Sequence, residues 1–362
     1  MERTLQVGIV GFGMSAQVFH APFVAHMPGY QLWAVVERRT NHAAEKYPGV
    51  LTYRSLDDML ADDAIDVVVI TTPNDTHFPY AQAALTAGKH VVLEKPFTNT
   101  TEEARQLVEL AANSQGQLSV YQNRRYVSDF RCIVQLLQQG LLGTVHEYEC
   151  HFDRYRPDAK PNAWREAPTA GSGILYDLGS HLIDQALCLF GLPQFITADI
   201  RQQRPHAQTD DYFDLRMDIG PVRVILRSGM LVREMGPRYM LHGSIGSYIK
   251  HGDDVQEAQL KAGAIPTGPD WGLEPADTAG LLHTEINGEL IRRAWPSPAG
   301  NFGDYYSHLY ASLVHGAPLR ETPAHGYNTI RLIELAFESS RQRRTLPVTN
   351  LMETPYPFGL PA

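Results

Sequence analysis

Asp177 and His181 stand four residues apart in an otherwise apolar stretch, GILYDLGSHLIDQALCLFG, at residues 173–191. Residues at this spacing lie on the same face of a helix, one turn apart. A carboxylate and an imidazole so placed could form half of a metal site, transfer a proton, or be two hydrogen-bonded polar groups of a buried helix. The stretch by itself does not choose among the three, so the choice depends on the rest of the chain.

A metal site would combine Asp177 and His181 with Asp184, which falls near the same helix face. This set lacks a further ligand at a recognised spacing, such as the one in His-Glu-x-x-His. The three cysteines of the chain are scattered and form no Cys-x-x-Cys pair. We therefore predict that the protein uses no metal.

A dinucleotide site is indicated near the beginning of the chain. The glycine turn GFGMSA, residues 11–16, directly follows an apolar stretch and begins a helical pattern. Gly11 suits a tight turn, Gly13 allows the backbone close to a pyrophosphate, and Ala16 replaces the usual third glycine. The helix that follows would direct its free N–H groups, at Met14 and Ser15, towards the phosphates. The pattern predicts cofactor contacts at Gly11, Gly13, Met14 and Ser15.

The end of the second predicted strand bears on the choice of dinucleotide. Glu37 lies about 20 residues beyond the turn, where an acidic side chain accepts hydrogen bonds from the adenosine ribose, and this favours NAD. Arg38 and Arg39 follow at once. Either could pair with a 2′-phosphate or stack on adenine, and either could instead lie in a solvated loop. We expect NAD or NADP, with NAD favoured.

The carboxyl end of the third predicted strand supplies another wall of the site. Its sequence is TTPNDTH, residues 71–77, and ligands bind at the strand ends of open α/β sheets. The residues from Asn74 to Thr76 could equally cap the helix that follows. The residues predicted to contact the cofactor here are Thr71, Thr72, Pro73, Asn74 and His77.

Two differently patterned halves must position these residues. Up to residue 123, continuous Val/Ile/Leu runs alternate with helical patterns, as expected for parallel strands covered on both faces. Later strands have one polar face, and Asn287-Gly288 indicates a hairpin. Residues 252–280, rich in Gly, Pro and Asp, predict a long surface loop.

We therefore predict an α/β chain of two domains. Residues 1–123 would form a Rossmann domain, a doubly wound parallel sheet that binds NAD(P). Residues 124–362 would form an α+β domain with a large open, mainly antiparallel sheet, for substrate binding and oligomerisation. We expect the C-terminal helices to be able to pack back on the first domain.

Composition limits the classes of partner. The 362 residues are 43% hydrophobic and 20% charged, which is ordinary for a globular protein. The formal net charge of −9 argues against a nucleic-acid or anionic-membrane partner. No apolar run approaches the roughly 20 residues of a membrane span, and the N-terminus has no pattern of a cleaved leader. Cys132, Cys150 and Cys188 fit a reducing compartment, so we expect a cytoplasmic protein.

A resemblance to a known family emerges at Glu94-Lys95-Pro96, within LEKPF at the end of the fourth predicted strand. With the glycine turn, TPNDTH and the later Asp177-x-x-x-His181, this motif resembles the Gfo/Idh/MocA oxidoreductase family over nearly the whole chain. Longer stretches, among them NRRYVSDF and HFDRYRP, are similar to its scyllo-inositol dehydrogenase-like branch. As a set these motifs are highly specific.

The resemblance implies an NAD(P)-dependent dehydrogenase of a polyol or sugar. In such enzymes the lysine lies beside the nicotinamide and the Asp/His pair faces it from the second domain, which implies catalytic roles for Lys95, Asp177 and His181 and a cofactor contact for Glu94. Oxidation of a secondary alcohol also requires a base for the hydroxyl proton, and histidine ordinarily titrates near neutrality. Lys95 can stabilise negative charge on the alcohol oxygen. Asp177 can orient the substrate or the imidazole.

Further substrate contacts are implied by the position of their motifs. The resemblance places Arg124, in QNRRY, near the substrate, and the segments HFDRYRP and NAWRE could supply Asp153, Trp164 and Arg165. A polyol has many hydroxyls, which suit carboxylates, guanidinium groups and an aromatic wall. Each of these residues could instead belong to a surface ion pair or an interface.

Two alternatives remain open at this point. The fold also serves as a non-catalytic NAD(P)-sensing regulator, although this chain retains Lys95, Asp177 and His181. An enzyme of the family could also act on an aldose, a dihydrodiol or a bicyclic compound, because the motifs do not distinguish these substrates. In each case we expect a homodimer or homotetramer joined through the open sheet.

Overall fold

The computed structural model describes residues 3–159 and 166–358, which form two compact units. The first unit contains the described residues within 1–126, 255–272 and 301–327, and the second contains those within 127–254, 273–300 and 328–362. The chain therefore returns to the first unit twice, so neither unit is continuous in sequence.

Each unit is built on one β-sheet. The strands are β1 Leu5–Val10, β2 Tyr30–Val36, β3 Leu51–Tyr53, β4 Val67–Ile70, β5 His90–Leu93, β6 Leu118–Val120, β7 Val145–His151, β8 Phe195–Arg201, β9 Tyr212–Ile219, β10 Val222–Gly229, β11 Tyr239–Gly243, β12 Gly246–Lys250, β13 Gly280–Ile286, β14 Glu289–Trp295 and β15 Leu346–Pro347.

Helices connect most of these strands. The α-helices are α1 Ala21–His26, α2 His42–Lys46, α3 Leu56–Leu60, α4 His77–Thr86, α5 Thr101–Asn113, α6 Ser128–Gln138, α7 Ser180–Phe190, α8 Gln256–Lys261, α9 Gly303–His315 and α10 Pro323–Gln342. Single π-helical turns, Ala16–His20 and Leu175–Gly179, directly precede α1 and α7. Within the described ranges, no helix is long and apolar enough to cross a membrane.

The first unit contains a six-stranded parallel sheet in the order β3-β2-β1-β4-β5-β6. All four residues of β4, VVVI, are buried, as expected for a central strand covered on both faces. The strand order reverses between β1 and β4, and a crevice opens at the carboxyl ends of the strands at such a switch point. The predicted doubly wound Rossmann sheet is confirmed.

The second unit contains a nine-stranded sheet in the order β14-β13-β12-β11-β7-β10-β9-β8-β15. Its neighbouring strands are antiparallel, apart from the parallel pair β7 and β10. Burial alternates along β9, so one face of this strand is covered and the other is open. Helix α7 contacts β10, and its apolar residues from Leu182 to Leu189 are buried. The predicted open, mainly antiparallel sheet is confirmed.

Two details of the predicted elements were wrong. The mixed polarity of TVHEYECHFDRYRP, residues 144–157, predicts one long strand, but β7 ends at His151. Residues 252–280, predicted as a loop, include the short helix α8, whose Gln256 and Leu260 are buried. The Gln256 side chain donates to the carbonyl of Tyr126 at 3.2 Å and accepts from the N–H of Phe302 at 2.6 Å. Partners so distant in sequence stabilise α8, and local composition does not reveal them.

Candidate functional site

The glycine turn after β1 is held against the end of β4. Gly11 has φ +88°, a conformation that favours glycine, and an added Cβ would lie 3.2 Å from Cγ2 of Thr72. The hydroxyl of Thr71 donates to the carbonyls of Val10 and Gly11 at 2.9 and 3.2 Å. The turn therefore stands at the switch point of the sheet, fixed from both sides.

Gly13, the second glycine of the turn, has open space around it. No atom lies within 4 Å of the Cβ position of Gly13, and the residue is exposed together with Met14. Helical backbone begins at Met14, and the N–H groups in the first turn of a helix have no partner within the helix itself. Exposed backbone without a side chain, next to a helix N-terminus, fits a pyrophosphate.

A cavity of about 850 Å³ adjoins the turn. Its walls come from the segments that follow four strands: Gly11 and Phe12 after β1, Glu37, Arg38, Thr40 and His42 after β2, residues 54–57 after β3, and seven residues within 72–83 after β4. This volume lies in the usual range for small-molecule sites, about 300–1,000 Å³. The described residues therefore provide a cradle that an adenosine group fits.

The Glu37 side chain forms hydrogen bonds within its own loop. It is buried, and its carboxylate accepts from the hydroxyl of Thr40 at 2.6 Å and from the N–H groups of His42 and Ala43 at 3.2 and 2.8 Å. These bonds satisfy the N-terminus of α2. The carboxylate predicted to bind the ribose thus stabilises the loop that would surround it.

Two arginines line this side of the cavity. Arg38 is exposed and donates to the hydroxyl of Tyr80 at 3.3 Å. Arg54 donates to the carbonyls of Glu37 and Thr40 at 2.8 and 2.7 Å, and so holds the loop in place. The sequence pattern does not indicate Arg54, since this residue follows a strand of only three residues.

The Glu94-Lys95-Pro96 motif ends β5 at the same edge of the sheet. Glu94 is buried and accepts hydrogen bonds from the Ser15 hydroxyl, from Nε2 of His20 at 3.0 Å and from the Lys95 N–H at 3.0 Å. Burial alone would raise the pKa of Glu94, but the bonds from His20 and Ser15 lower it to about 2. An ionised Glu94 therefore joins the glycine turn to the backbone of the half-buried Lys95.

The remaining predicted cofactor contacts lie around the end of β4. Thr72 and Pro73 line the cavity, and Asn74 is buried in a 3₁₀ turn before α4. His77 is buried, and its ring nitrogens lie 2.8 Å from the carbonyl of Pro96 and 3.1 Å from that of Thr72. Its ring thus fixes two walls of the site, and His20 and His77 together flank the motif.

In the second unit, Asp177 lies in the turn before α7, and His181 lies at the beginning of α7. Asp177 is half-buried in the π-helical turn, and His181 is 6% exposed in the first turn of α7. The carboxylate of Asp210 accepts from the N–H of Leu175 at 2.8 Å and anchors the turn, and burial raises the pKa of Asp210 to about 6. The helix ends at Gly191, which has φ +84°.

Two of the predicted substrate residues bind within their own unit, and Arg124 is the first of them. Arg124 forms an ion pair of 2.6 Å with Glu257, on α8. Burial opposes ionisation of Glu257, but the charges of Arg124 and Lys261 lower its pKa to about 2. The sequence did not indicate Glu257 as a partner of Arg124, because Glu257 falls within the predicted loop at residues 252–280.

Asp153 is likewise engaged in the second unit. Its carboxylate lies 3.0 Å from Nδ1 of His151 and accepts from the N–H of Gly229 at 2.9 Å. Burial alone would lower the pKa of His151, but Asp153 and Glu149 raise it. The other two predicted substrate residues, Trp164 and Arg165, lie outside the described residues.

A metal centre is not formed by the part of the chain that the structure describes. Within residues 3–159 and 166–358, no group of three His, Cys, Asp or Glu side chains converges as ligands. Asp177 and His181 remain candidates for proton transfer and substrate orientation, the second of the three possibilities that their spacing raises.

Comparison with known proteins covers both units. The model of an oxidoreductase family's NAD-binding Rossmann fold matches residues 5–122, and that of the family's C-terminal alpha/beta domain matches residues 134–349. The scyllo-inositol 2-dehydrogenase (NADP(+)) IolW of Bacillus subtilis is 40% identical over 95% of this chain and 96% of its own. The uncharacterized oxidoreductase YdgJ of Escherichia coli is 42% identical over 96% and 99%. The crystal structure of an oxidoreductase from Bacillus cereus, 33% identical, matches 97% of this chain and 100% of its own with a TM-score of 0.89.

Proposed function

We propose, because the chain belongs to the Gfo/Idh/MocA family of oxidoreductases, that it transfers a hydride between a secondary alcohol of an inositol-like polyol or sugar and the nicotinamide of NAD(P). One observation carries this proposal: the open glycine turn and the Lys95 strand end meet at one sheet edge, joined through Ser15 and Glu94. A bound dinucleotide supplies the hydride acceptor; the chain must handle the proton.

The proton is assigned to Lys95 and His181. The ammonium of Lys95 donates a hydrogen bond to the alcohol oxygen and stabilises the negative charge that develops there as the C–H bond breaks. His181 accepts the hydroxyl proton at a ring nitrogen, and returns it in the reverse reaction. Asp177, one turn before His181, orients the substrate or the imidazole.

The substrate class rests on the relatives. IolW is named a scyllo-inositol 2-dehydrogenase, and a D-glucoside 3-dehydrogenase of Escherichia coli is 29% identical over 52% of the chain. Both names denote oxidation of a ring carbon that carries a secondary hydroxyl. We assign Arg124, Asp153, Trp164 and Arg165 to the surroundings of the substrate, where polar side chains would bind its other hydroxyls.

A panel of substrates and cofactors tests the proposal. The purified protein is incubated with NAD or NADP and with inositols, hexoses, hexitols and a dihydrodiol, while the absorbance of reduced cofactor is followed. We expect turnover with at least one cyclic polyol, scyllo-inositol first. Tight cofactor binding without turnover on any member would contradict the proposal and support the regulator.

The adenosine end of the site leads us to propose NADP as the preferred cofactor, although Glu37 in the sequence favoured NAD. The carboxylate of Glu37 is bonded to its own loop, while the exposed guanidinium of Arg38 stands at the cavity wall. Arginine suits a 2′-phosphate, because it forms paired, charge-assisted hydrogen bonds. The NADP in the name of IolW is consistent with this preference.

Replacing Arg38 by alanine is expected to lower kcat/KM with NADP by about 10–100-fold, the value of a lost charge-assisted hydrogen bond. In the same variant, kcat/KM with NAD should change little. Arg39→Ala is the matched control, because Arg39 is also exposed but is absent from the cavity wall. An equal loss with both cofactors, or a wild-type protein that prefers NAD, would overturn the assignment.

We further propose a homodimer or homotetramer formed through the open sheet. Strand register aligns Ile225, Met240, Ile249 and Leu281 across four strands, on either side of Glu149. All four side chains are half-buried in the single chain, and covering such a row would bury more apolar surface. Light scattering should give two or four times the chain mass of 40.4 kDa; a monomer would contradict this.

The cytoplasm is the compartment we propose. Cys132, Cys150 and Cys188 are free thiols in the structure, and all three are buried. Burial raises the pKa of Cys132 to about 11 and that of Cys150 to about 12, so both remain protonated thiols at neutral pH. Unpaired thiols are usual for proteins of a reducing compartment.

A further inference from the structure

Lys95 lies between two residues that buried imidazoles hold in place. His20 contacts the carboxylate of Glu94, and His77 contacts the carbonyl of Pro96. The two histidines are 0% and 1% exposed, so neither can itself contact a substrate in solution without a rearrangement. Because they contact the residues before and after Lys95, they can fix the position of the Lys95 backbone. No other residue in the proposed mechanism has this role.

His20 reaches the motif from the π-helical turn behind the glycine loop. Its Nε2 lies 3.0 Å from Oε1 of Glu94, and its Nδ1 lies 2.7 Å from the hydroxyl of Tyr306. The ionised Glu94 can only accept, so Nε2 donates to it, while Nδ1 lies within hydrogen-bond distance of the Tyr306 hydroxyl. The ring of Tyr121, with its centroid 4.1 Å away, packs on the imidazole.

The effect of His20 reaches the lysine through Glu94. The other carboxylate oxygen of Glu94 accepts from the backbone N–H of Lys95 at 3.0 Å. A carboxylate held by His20 and by the Ser15 hydroxyl therefore fixes the peptide group from which the Lys95 side chain extends. This connection is independent of the lysine side chain itself.

His77 acts from the opposite side, at the first residue of α4. Its ring bridges the carbonyl of Pro96, at 2.8 Å, and that of Thr72, at 3.1 Å. Burial lowers the pKa of His77, and a neutral ring has one N–H for the two carbonyls. The ring therefore donates to one of the two carbonyls and packs against the other, between the segment after β5 and the segment after β4.

We propose that His20 and His77 are positioning residues that together hold the backbone of Lys95, so that its ammonium stands at the reacting hydroxyl. The catalytic role of Lys95 in this statement rests on the proposed function. A lysine side chain has four flexible methylenes, so its reach is defined only if its backbone is fixed. A displacement of about 1 Å at a reacting group can lower a rate by about 10².

Kinetics of four variants test the proposal. His20→Phe and His77→Phe keep a ring of similar size but remove the hydrogen bonds, and each is expected to lower kcat by about 10–10², while the KM for the cofactor changes little. His20→Gln and His77→Gln retain an N–H donor and should recover part of the loss. A loss confined to cofactor KM, or no recovery with glutamine, would overturn the positioning role.

A third ring substitution provides the control. His90 begins β5, the strand that Lys95 follows, and its Nδ1 accepts from the N–H of Gln117 at 3.0 Å. His90→Phe disturbs the same strand at its far end, so it should lower thermal stability without lowering kcat. A fall in kcat as large as that of His77→Phe would show that general destabilisation explains the effect, and would contradict the proposal.

A second readout does not need turnover. Trace acetylation of the folded proteins, followed by mass spectrometry of the peptides, gives the reactivity of Lys95 relative to the exposed Lys46. We expect this ratio to rise in both phenylalanine variants and to stay unchanged in His90→Phe. If the wild-type protein turns over no substrate, the proposed function fails, but the acetylation ratio of Lys95 to Lys46 still tests the positioning role. An unchanged ratio in both phenylalanine variants would overturn that role.

Discussion

Lys95→Ala is expected to lower kcat by about 10²–10⁴-fold, the usual contribution of a group that assists proton transfer or stabilises a developing oxyanion. The cofactor should still bind, because the glycine turn, the cavity wall and the Ser15–Glu94 bond do not require the lysine side chain. Steady-state kinetics with the best substrate of the panel, and fluorescence titration with reduced cofactor, measure the two effects separately.

A second lysine near the same strand provides the matched control. Lys89, immediately before β5, donates to the carbonyls of Asp62 and Ile65 at 2.9 and 2.8 Å. Lys89→Ala should therefore affect stability and leave kcat near wild type. Lys95→Arg preserves the charge but not the compact ammonium, so it should recover little activity. If Lys95→Ala kept full activity, the role assigned to Lys95 would be wrong.

His181→Ala is expected to lower kcat by a similar factor, about 10²–10⁴, because the alcohol would lose its proton acceptor. The pH profile is the more specific readout. In wild type kcat/KM for alcohol oxidation should fall at acidic pH as the base becomes protonated, and the alanine variant should lose that dependence. Kinetics from acidic to alkaline pH measure both effects.

A histidine elsewhere in the second unit separates a catalytic from a structural effect. His242 is exposed on β11, where its Nδ1 lies 2.8 Å from the hydroxyl of Ser247. His242→Ala should change neither kcat nor the acidic limb of the profile. A His181→Ala protein that retains both the rate and the limb would move the base to another residue.

The fold could be predicted because its signals are local. The apolar run VVVI of β4 and the glycine turn after β1 each carry their pattern within a few residues. The same holds for the alternating burial of β9 and for the helix that ends at Gly191. Elements that are stabilised by residues distant in sequence could not be predicted. Helix α8, whose Gln256 bonds to Tyr126 and Phe302, is the example.

Sequence position selects candidate residues for the site but does not give the contacts of their side chains. Glu37 was chosen by its position after β2, yet its contacts are with Thr40 and the N-terminus of α2. A sequence pattern locates a carboxylate but not the direction in which it points. His20 was not selected at all, because its partners Glu94 and Tyr306 are 74 and 286 residues away along the chain.

The central claim is that a hydride passes from a polyol carbon to the nicotinamide, and isotopic transfer tests it most directly. The protein is incubated with NADP and scyllo-inositol deuterated at every ring carbon, and the reduced cofactor is examined by mass spectrometry. We expect reduced cofactor carrying one deuterium, formed by wild type and much more slowly by the Lys95→Ala and His181→Ala proteins. Reduced cofactor without deuterium would contradict the proposed hydride transfer. So would a protein that binds the cofactor but reduces it with neither scyllo-inositol nor any other polyol of the panel in deuterated form.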